Sequence, residues 1–275
     1  MKKIALYTFF DDNFFEYGFT MIHSFLITNK WFNGDIFILS DNGENCSLSE
    51  NNINLLKKLY KNTYQYKIDI DVYNPIFKNF LKVDRKEFKA SFYKIEMFKK
   101  DDYDFKMYID ADVCFNGNIE ELFSVNYKSA FALMCRDRVC TNYLEKEVAL
   151  KTDNDYANMG FLFIDGSKLN EGDYDKIING CSSIKNTDYK NKHTFRGVYG
   201  DQDCLNEFIK NTIIVPAVIY DAPADCINSD NIKEVKIIHY YGATQKPWSC
   251  NRDMFAFQPW YKNYFLAMKR LKEIR

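Results

Sequence analysis

The chain has 275 residues, enough for one large domain or two small ones, and 47% of them are hydrophobic. Its 37 basic and 38 acidic side chains nearly cancel, and no basic arm or stripe marks a nucleic-acid-binding protein. No apolar run approaches the ~20 residues of a transmembrane helix. The first residues soon reach Asp11 and Asp12 and resemble a strand more than a signal peptide. We therefore expect a cytoplasmic protein without a membrane span and without a nucleic-acid partner.

Short apolar runs alternate with amphipathic stretches, which is typical of an α/β fold. The apolar runs predict strands over residues 3–9, 35–39, 66–72, 105–109, 130–134, 161–164, 213–215 and 235–238. Helical spacing predicts helices over residues 14–27, 48–60, 88–98, 201–209 and 254–271. No linker rich in Pro, Gly or Ser interrupts this pattern, and the polar stretch 185–196 is interpreted as a loop. We predict a single domain over residues 1–275, in which the segment 253–275 forms a closing C-terminal helix.

The eight cysteines are scattered along the chain and contain no CxxC pair. Several of them, such as Cys135, lie in apolar stretches, and a chain of this size can build a core without covalent crosslinks. We interpret the cysteines as reduced thiols and not as a disulfide framework.

The most informative segment is an apolar strand that ends in two aspartates, Asp110 and Asp112, separated only by Ala111. In an extended chain, residues i and i+2 point to the same face, so the two carboxylates lie side by side. Two unpaired carboxylates repel each other and require a cation, and oxygen ligands suit Mg²⁺ or Mn²⁺. The alternative is a solvated turn after a strand, and the motif alone does not decide between the two.

A second predicted strand ends in His239, which Gly242 and Lys246 follow. A glycine lets backbone N–H groups approach an anion closely, and a lysine adds a positive charge suited to phosphate. A lone histidine at a strand end is commonly structural. The loop that follows it, together with the aspartate pair, favours a metal site here.

The two segments, and the distance between them, resemble glycosyltransferase family 8, which includes glycogenin and the bacterial lipopolysaccharide galactosyl- and glucosyltransferases. The resemblance runs from the first strand to Trp248. It implies the GT-A fold, a Rossmann-like nucleotide-binding domain with a mixed central sheet. It also implies a UDP-sugar donor, a Mn²⁺ cofactor with Mg²⁺ as the alternative, and retention of anomeric configuration.

The motifs of this family assign roles to individual positions. The metal ligands implied are Asp110, Asp112 and His239. Residues implied to bind the donor are Thr8, Asp12, Phe15, Lys94, Ala111, Asn158, Gly242 and Lys246. Residues implied to act around the sugar are Asp137, Asp201 and Gln202. Two positions depart from the family pattern: three residues, not two, separate Gly242 from Lys246, and Lys94 stands where many members have arginine.

The resemblance implies transfer of glucose or galactose from the UDP-sugar to a hydroxyl of a glycan, a lipid-linked saccharide or a protein. Because glutamine is a poor nucleophile, we favour attack by the acceptor on the face that UDP leaves. Gln202 would then steady positive charge on the sugar, and Asp201 and Asp137 would orient its hydroxyls. The acceptor would be read by loops 81–87, 140–155 and 185–199. A homodimer and a peripheral membrane contact through helix 254–271 are further hypotheses.

Two other classes of function remain open. A non-catalytic UDP-sugar-binding protein would keep the nucleotide contacts without transferring the sugar. A haloacid-dehalogenase-type phosphatase also places a DxD motif after an apolar strand, but normally at the start of its fold, whereas here residues 1–109 precede the motif. Self-glucosylation is a variant of the glycosyltransferase hypothesis, because any of 20 tyrosines could serve as the acceptor.

Overall fold

The computed structural model describes residues 2–41, 43, 45–80, 89–125, 130–152, 155–184, 200–242, 246–249 and 254–275. The predicted loops 81–87 and 185–199 lie outside the described residues, as do residues 243–245 and Cys250. The predicted loop 140–155 is described except for residues 153 and 154.

The described strands form two sheets. They are β1 (Ile4–Thr8), β2 (Asp35–Ser40), β3 (Thr63–Lys67), β4 (Phe105–Ile109), β5 (Val113–Phe115), β6 (Ala132–Arg136), β7 (Ala149–Leu150), β8 (Ala157–Asp165), β9 (Thr212–Val215), β10 (Ala222–Pro223) and β11 (Ile237–His239). The larger sheet has eight strands in the order β3-β2-β1-β4-β8-β6-β9-β7, and the smaller has three in the order β10-β11-β5. The fold is therefore mixed α/β with a mixed central sheet, as predicted.

The directions of the strands decide which residues meet at the edge of the large sheet. Strands β3, β2, β1 and β4 run parallel to one another, and β8 runs antiparallel to both β4 and β6. The last residue of β4, Ile109, pairs with Phe161 of β8. The start of β8, which carries Asn158 and Gly160, therefore lies beside the residues that follow β4.

Helices cover both faces of this sheet. They are α1 (Phe15–Thr28), α2 (Glu50–Leu59), α3 (Asn74–Phe80), α4 (Asp173–Ser183), α5 (Asp201–Phe208), α6 (Ala217–Tyr220) and α7 (Phe257–Ile274), with a 3₁₀ helix over Ser91–Phe98. Alternate residues of β1 enter two separate cores: Leu6 packs with α1, α2 and α7, whereas Tyr7 packs with α3, α4 and the 3₁₀ helix. Burial on both faces explains why these strands are continuous apolar runs in the amino-acid sequence.

The small sheet places His239, the third predicted metal ligand, close to Asp110 and Asp112. Strand β11 pairs antiparallel with β5, so His239 lies opposite Val113. The backbone N–H of Tyr240 donates to the carbonyl of Asp112 at 2.9 Å. This pairing joins the segment after β4 to residues more than a hundred positions later.

Three predicted elements differ from the observed ones in type or by more than three residues at one end, and the other predicted bounds agree to within three residues. The strand predicted over 66–72 is wrong: β3 is Thr63–Lys67, because it pairs in register with β2, and Ile70–Val72 is a 3₁₀ turn that the side chain of Asp69 caps. The helix predicted over 88–98 is a 3₁₀ helix over Ser91–Phe98. The strand predicted over 161–164 extends over Ala157–Asp165, because it pairs with strands on both sides.

The interpretation of the cysteines as reduced thiols is wrong for one pair. Cys181 of α4 and Cys204 of α5 form a disulfide, with their Cα atoms 5.7 Å apart. The two helices pack together, which brings these positions within the range that a disulfide needs. Cys46, Cys114, Cys135, Cys140 and Cys226 are free. Within the described ranges, no helix combines the length and the apolar character that a membrane crossing requires.

Candidate active site

The two aspartates lie where β4 ends and β5 begins. The backbone N–H of Asp110 donates to the carbonyl of Gly160 at 3.0 Å, and the Tyr108 hydroxyl donates to Asp110 Oδ1 at 2.6 Å. Ala111, between the two aspartates, is buried. The side chains of Asp110 and Asp112 keep 25% and 17% exposure, so both remain open to a ligand. The prediction that the two carboxylates lie together is confirmed.

His239, the last residue of β11, completes a cluster with these aspartates. Its Nε2 atom lies 3.2 Å from Asp112 Oδ1 and 3.8 Å from Asp110 Oδ2. One ligand atom from each of the three residues falls within 4.8 Å of the others. Two carboxylate oxygens and one imidazole nitrogen form a donor set that suits Mn²⁺ or Mg²⁺, so the residues present fit a divalent cation.

Gly160 leaves space for this cluster. A Cβ atom at this position would lie 2.6 Å from Asp110 Oδ2 and 3.0 Å from Asn158 Oδ1, and closer still to the His239 ring. Any other residue would therefore fill the space that the ligand side chains occupy. The sequence analysis assigned no role to Gly160.

Asp221 is a residue that the sequence reasoning missed. It follows α6, and its Oδ1 atom lies 2.7 Å from His239 Nδ1, with both side chains buried. Burial raises the pKa of Asp221 to about 6, although His239 opposes this shift. Burial would lower the pKa of His239, but Asp221 and Asp112 outweigh it and raise that pKa to about 10. In the metal-free protein the imidazole is therefore an imidazolium held between carboxylates.

Lys94 is a buried cation that joins the metal cluster to α5. Only 3% of its side chain is exposed, and its Nζ atom lies 2.7 Å from Asp201 Oδ2 and 3.8 Å from Asp110 Oδ1. It also donates to the Met159 carbonyl at 3.0 Å. Burial disfavours the charged ammonium, but the two carboxylates outweigh it and raise the pKa of Lys94.

The pKa values of the two carboxylates in the cluster shift in opposite directions. Burial raises the pKa of Asp110, even though Lys94 opposes that shift. Asp112 is also desolvated, but Lys246 and His239 outweigh burial and lower its pKa. Asp112 therefore has the lower pKa of the two.

Gln202, Asp137 and Asn158 form a second cluster beside the first. Gln202 Nε2 donates to Asp137 Oδ2 at 3.0 Å, and Asn158 Nδ2 donates to the same oxygen at 3.2 Å. Gln202 Oε1 accepts from the backbone N–H of Met159 at 3.2 Å. All three polar side chains are buried and held by these bonds. The structure thus brings together Asp137 and Gln202, two of the three residues predicted to act around the sugar, with Asn158, a predicted donor-binding residue, whereas Asp201 pairs with Lys94.

The loop after β11 also reaches the metal cluster. Lys246 forms an ion pair with Asp112, and its Nζ atom lies over the Trp248 ring, 5.4 Å from the centroid. Gly242 has φ +74°, a backbone conformation that favours glycine. Lys246 thus lies at the cluster despite the extra residue in this loop.

The three predicted donor residues near the amino terminus have different surroundings. Thr8 ends β1 and is buried, and its Oγ1 has no hydrogen-bond partner among the described residues. Asp12 Oδ1 instead accepts from Ser49 N at 2.9 Å and Asn52 Nδ2 at 2.8 Å, at the start of α2. Phe15 packs into the apolar core against Phe19. The structure does not bring Asp12 or Phe15 into the metal cluster.

Comparisons with known proteins identify the family of the chain. Glycosyl transferase family 8 matches residues 5–252, and the chain therefore belongs to this family and is a glycosyltransferase. A lipopolysaccharide 1,2-glucosyltransferase of Escherichia coli (strain K12) is 28% identical over 178 residues, which cover 59% of this chain and 48% of that protein. The chain thus aligns with about half the length of that curated relative.

Two solved structures show the fold. The galactosyltransferase LgtC, solved in complex with donor and acceptor sugar analogs, matches with a TM-score of 0.67 and 17% identity, covering 96% of this chain and 95% of that one. The bifunctional glycosyltransferase WbbM, in its apo form, matches with a TM-score of 0.65 and 16% identity, covering 98% of this chain and 52% of that one. These likenesses confirm the predicted GT-A fold.

Proposed function

We propose that this glycosyltransferase moves glucose or galactose from a UDP-sugar to a saccharide hydroxyl, with a divalent cation and with retention of configuration. The observation that carries the proposal is the convergence of Asp110, Asp112 and His239 at the edge of the sheet, next to the buried Lys94. Open α/β sheets bind their ligands at the carboxyl ends of their strands. The donor would therefore lie at this edge.

The residues of the metal cluster have distinct tasks in this proposal. Asp110, Asp112 and His239 would hold Mn²⁺ or Mg²⁺, which when bound supplies Lewis-acid stabilisation of the departing diphosphate. Lys246 contacts Asp112, so it is within reach of the same negative charge. Asp201 and the Met159 carbonyl hold the Lys94 ammonium in one position, so it adds a fixed positive charge. Such preorganised charge favours a transition state in which negative charge develops on UDP.

The second cluster supports a same-face attack by the acceptor. Both ends of the Gln202 amide are engaged, one with Asp137 and the other with the Met159 backbone. This side chain is therefore held as an oriented dipole that can steady positive charge on the sugar, and an amide is in any case a poor nucleophile. The two carboxylate oxygens of Asp201 are already bound, one by the Lys94 ammonium and the other by the Ser91 hydroxyl. Asp137 and Asn158 would accept or donate hydrogen bonds to sugar hydroxyls.

The relatives favour a saccharide acceptor, because one is described as a lipopolysaccharide glucosyltransferase and another was solved with an acceptor sugar analog. A glycan or a lipid-linked saccharide is therefore our preferred acceptor over a protein. The single domain over residues 1–275, the cytoplasmic location, the homodimer and the peripheral membrane contact stay predictions.

The test is UDP release from UDP-glucose and from UDP-galactose, each with Mn²⁺, with Mg²⁺ and with a chelator. We expect release from one of the two donors, lost when the chelator is present. Binding of UDP without release, also in the presence of added saccharides, would favour a binding protein. Absence of UDP binding would contradict the proposal, and hydrolysis of p-nitrophenyl phosphate would revive the phosphatase alternative.

A further inference from the structure

The imidazole of His239 has carboxylates on both sides. Its Nε2 atom faces the two aspartates of the metal cluster, and its Nδ1 atom lies 2.7 Å from Oδ1 of Asp221. The side chains of His239 and Asp221 are 3% and 2% exposed. Water therefore has almost no access to this contact, and the orientation of the ring depends on Asp221.

The backbone holds Asp221 in this place. The N–H of Asp221 donates to the carbonyl of Ala217 at 2.9 Å, which closes α6. The next two residues form β10, which pairs parallel with β11 so that Pro223 lies opposite His239. The carboxylate thus belongs to the residue that immediately precedes β10, and the pairing of β10 with β11 fixes its position. In the described part of the chain, no lysine or arginine lies within ion-pair distance of Asp221.

Burial of this carboxylate for a purely structural role would cost considerable free energy. A buried carboxylate loses its hydration and needs compensating partners. Here the partner is the ring whose other nitrogen faces the metal cluster. Histidines that bind metals commonly donate their second N–H to a carboxylate, which fixes the tautomer and strengthens the ligand.

We propose that Asp221 is a positioning residue that accepts the Nδ1–H of His239 and thereby keeps the Nε2 lone pair directed at the ion-binding space between Asp110 and Asp112. This inference rests on the proposed metal site. It adds a fourth side chain, outside the three ligands, on which the affinity for the ion depends.

The test measures binding of Mn²⁺ to donor-free protein by electron paramagnetic resonance. We expect Asp221→Ala to weaken Mn²⁺ binding by about 10- to 100-fold, and Asp221→Asn, which keeps an oxygen acceptor, to lose less. The matched control is Asp225→Ala, because Asp225 lies in the same segment and its exposed side chain contacts Arg138 at 3.1 Å and Cys226 Sγ at 3.6 Å. We expect wild-type affinity for this control.

The outcomes separate this inference from the proposed function. If the wild-type protein binds no Mn²⁺, the metal site itself is wrong. If the wild-type protein binds Mn²⁺ and Asp221→Ala binds it equally well, the metal site stands and the positioning role is overturned.

A second measurement needs no variant and remains decisive if Asp221→Ala does not fold. The chain has three histidines, so ¹⁵N NMR of the Mg²⁺-bound wild-type protein can assign the His239 ring. We expect a proton on Nδ1 and none on Nε2. A ring protonated on Nε2 would overturn the inference.

Discussion

Gly160 has no room for a side chain beside the metal cluster, and we predict that Gly160→Ala disables this cluster. A methyl group at this position would lie 2.6 Å from Asp110 Oδ2 and closer still to the imidazole of His239. The neighbouring groups cannot yield without moving a ligand, because both of them belong to the cluster. The substitution therefore changes the spacing of the ligand atoms without removing any of them.

The size of the effect follows from these distances. Non-bonded heavy atoms settle at about 3.5–4.0 Å, so Asp110 or His239 has to move by about 1 Å. Metal sites hold their ligand distances to within about 0.2 Å, which makes this displacement too large for the ion. Overpacking costs about 1–3 kcal/mol. If the cation has to overcome this strain in order to bind, the affinity of the protein for Mn²⁺ falls by about 5- to 150-fold.

The assay is a Mn²⁺ titration of the wild-type protein and of Gly160→Ala. UDP release by each protein is measured at saturating donor. The matched control is Gly117→Ala, where the added Cβ would meet the Lys236 Cγ at 3.2 Å, on a flexible side chain. We expect wild-type affinity and activity for the control and a loss of both for Gly160→Ala. Unchanged Mn²⁺ affinity in a folded Gly160→Ala protein would refute the steric reasoning.

Three further predictions concern charge, protons and the crosslink. Lys94→Met should lower the free energy of unfolding by about 3–5 kcal/mol in urea titrations, because it leaves Asp201 without its buried partner; a loss below about 1 kcal/mol would contradict this. Because the pKa of His239 is raised to about 10, the metal-free ring is an imidazolium below that pH. Mn²⁺ must then displace a proton, so calorimetry should show proton release and an affinity that rises from about pH 6.5 to about pH 8.5, whereas a pH-independent affinity would oppose it. Cys204→Ser removes the bond to Cys181, 23 residues away, and should cost about 3 kcal/mol of stability; an unchanged melting temperature would argue against the crosslink.

The local part of the site could be predicted from the sequence. Asp110 and Asp112 lie on one face because a strand alternates, and this depends only on their spacing of two. The strand Phe105–Ile109 was predicted at its observed bounds, because burial on both faces gives a continuous apolar run. His239 was favoured as a ligand because it ends a second strand and a loop with Gly242 and Lys246 follows it, and the family resemblance implied the same role.

The remaining part depends on contacts that spacing does not encode. Asp221 precedes a strand of two residues, and only the pairing of that strand with β11 places it at His239. Cys181 and Cys204 lie on different helices, and their pairing requires the packing of α4 on α5. The predicted strand 66–72 failed because pairing with β2 selects Thr63–Lys67 as the register.

The most direct test of the central claim compares UDP release by wild-type protein and by Asp112→Asn, at saturating Mn²⁺ and with the preferred donor. Asp173→Asn serves as the matched control, because Asp173 is a half-buried acid in the first turn of α4 that pairs with Lys176. We predict at least about a 100-fold loss for Asp112→Asn, with its circular dichroism unchanged and the control fully active. Full Mn²⁺-dependent activity of Asp112→Asn would contradict the assignment of the metal site.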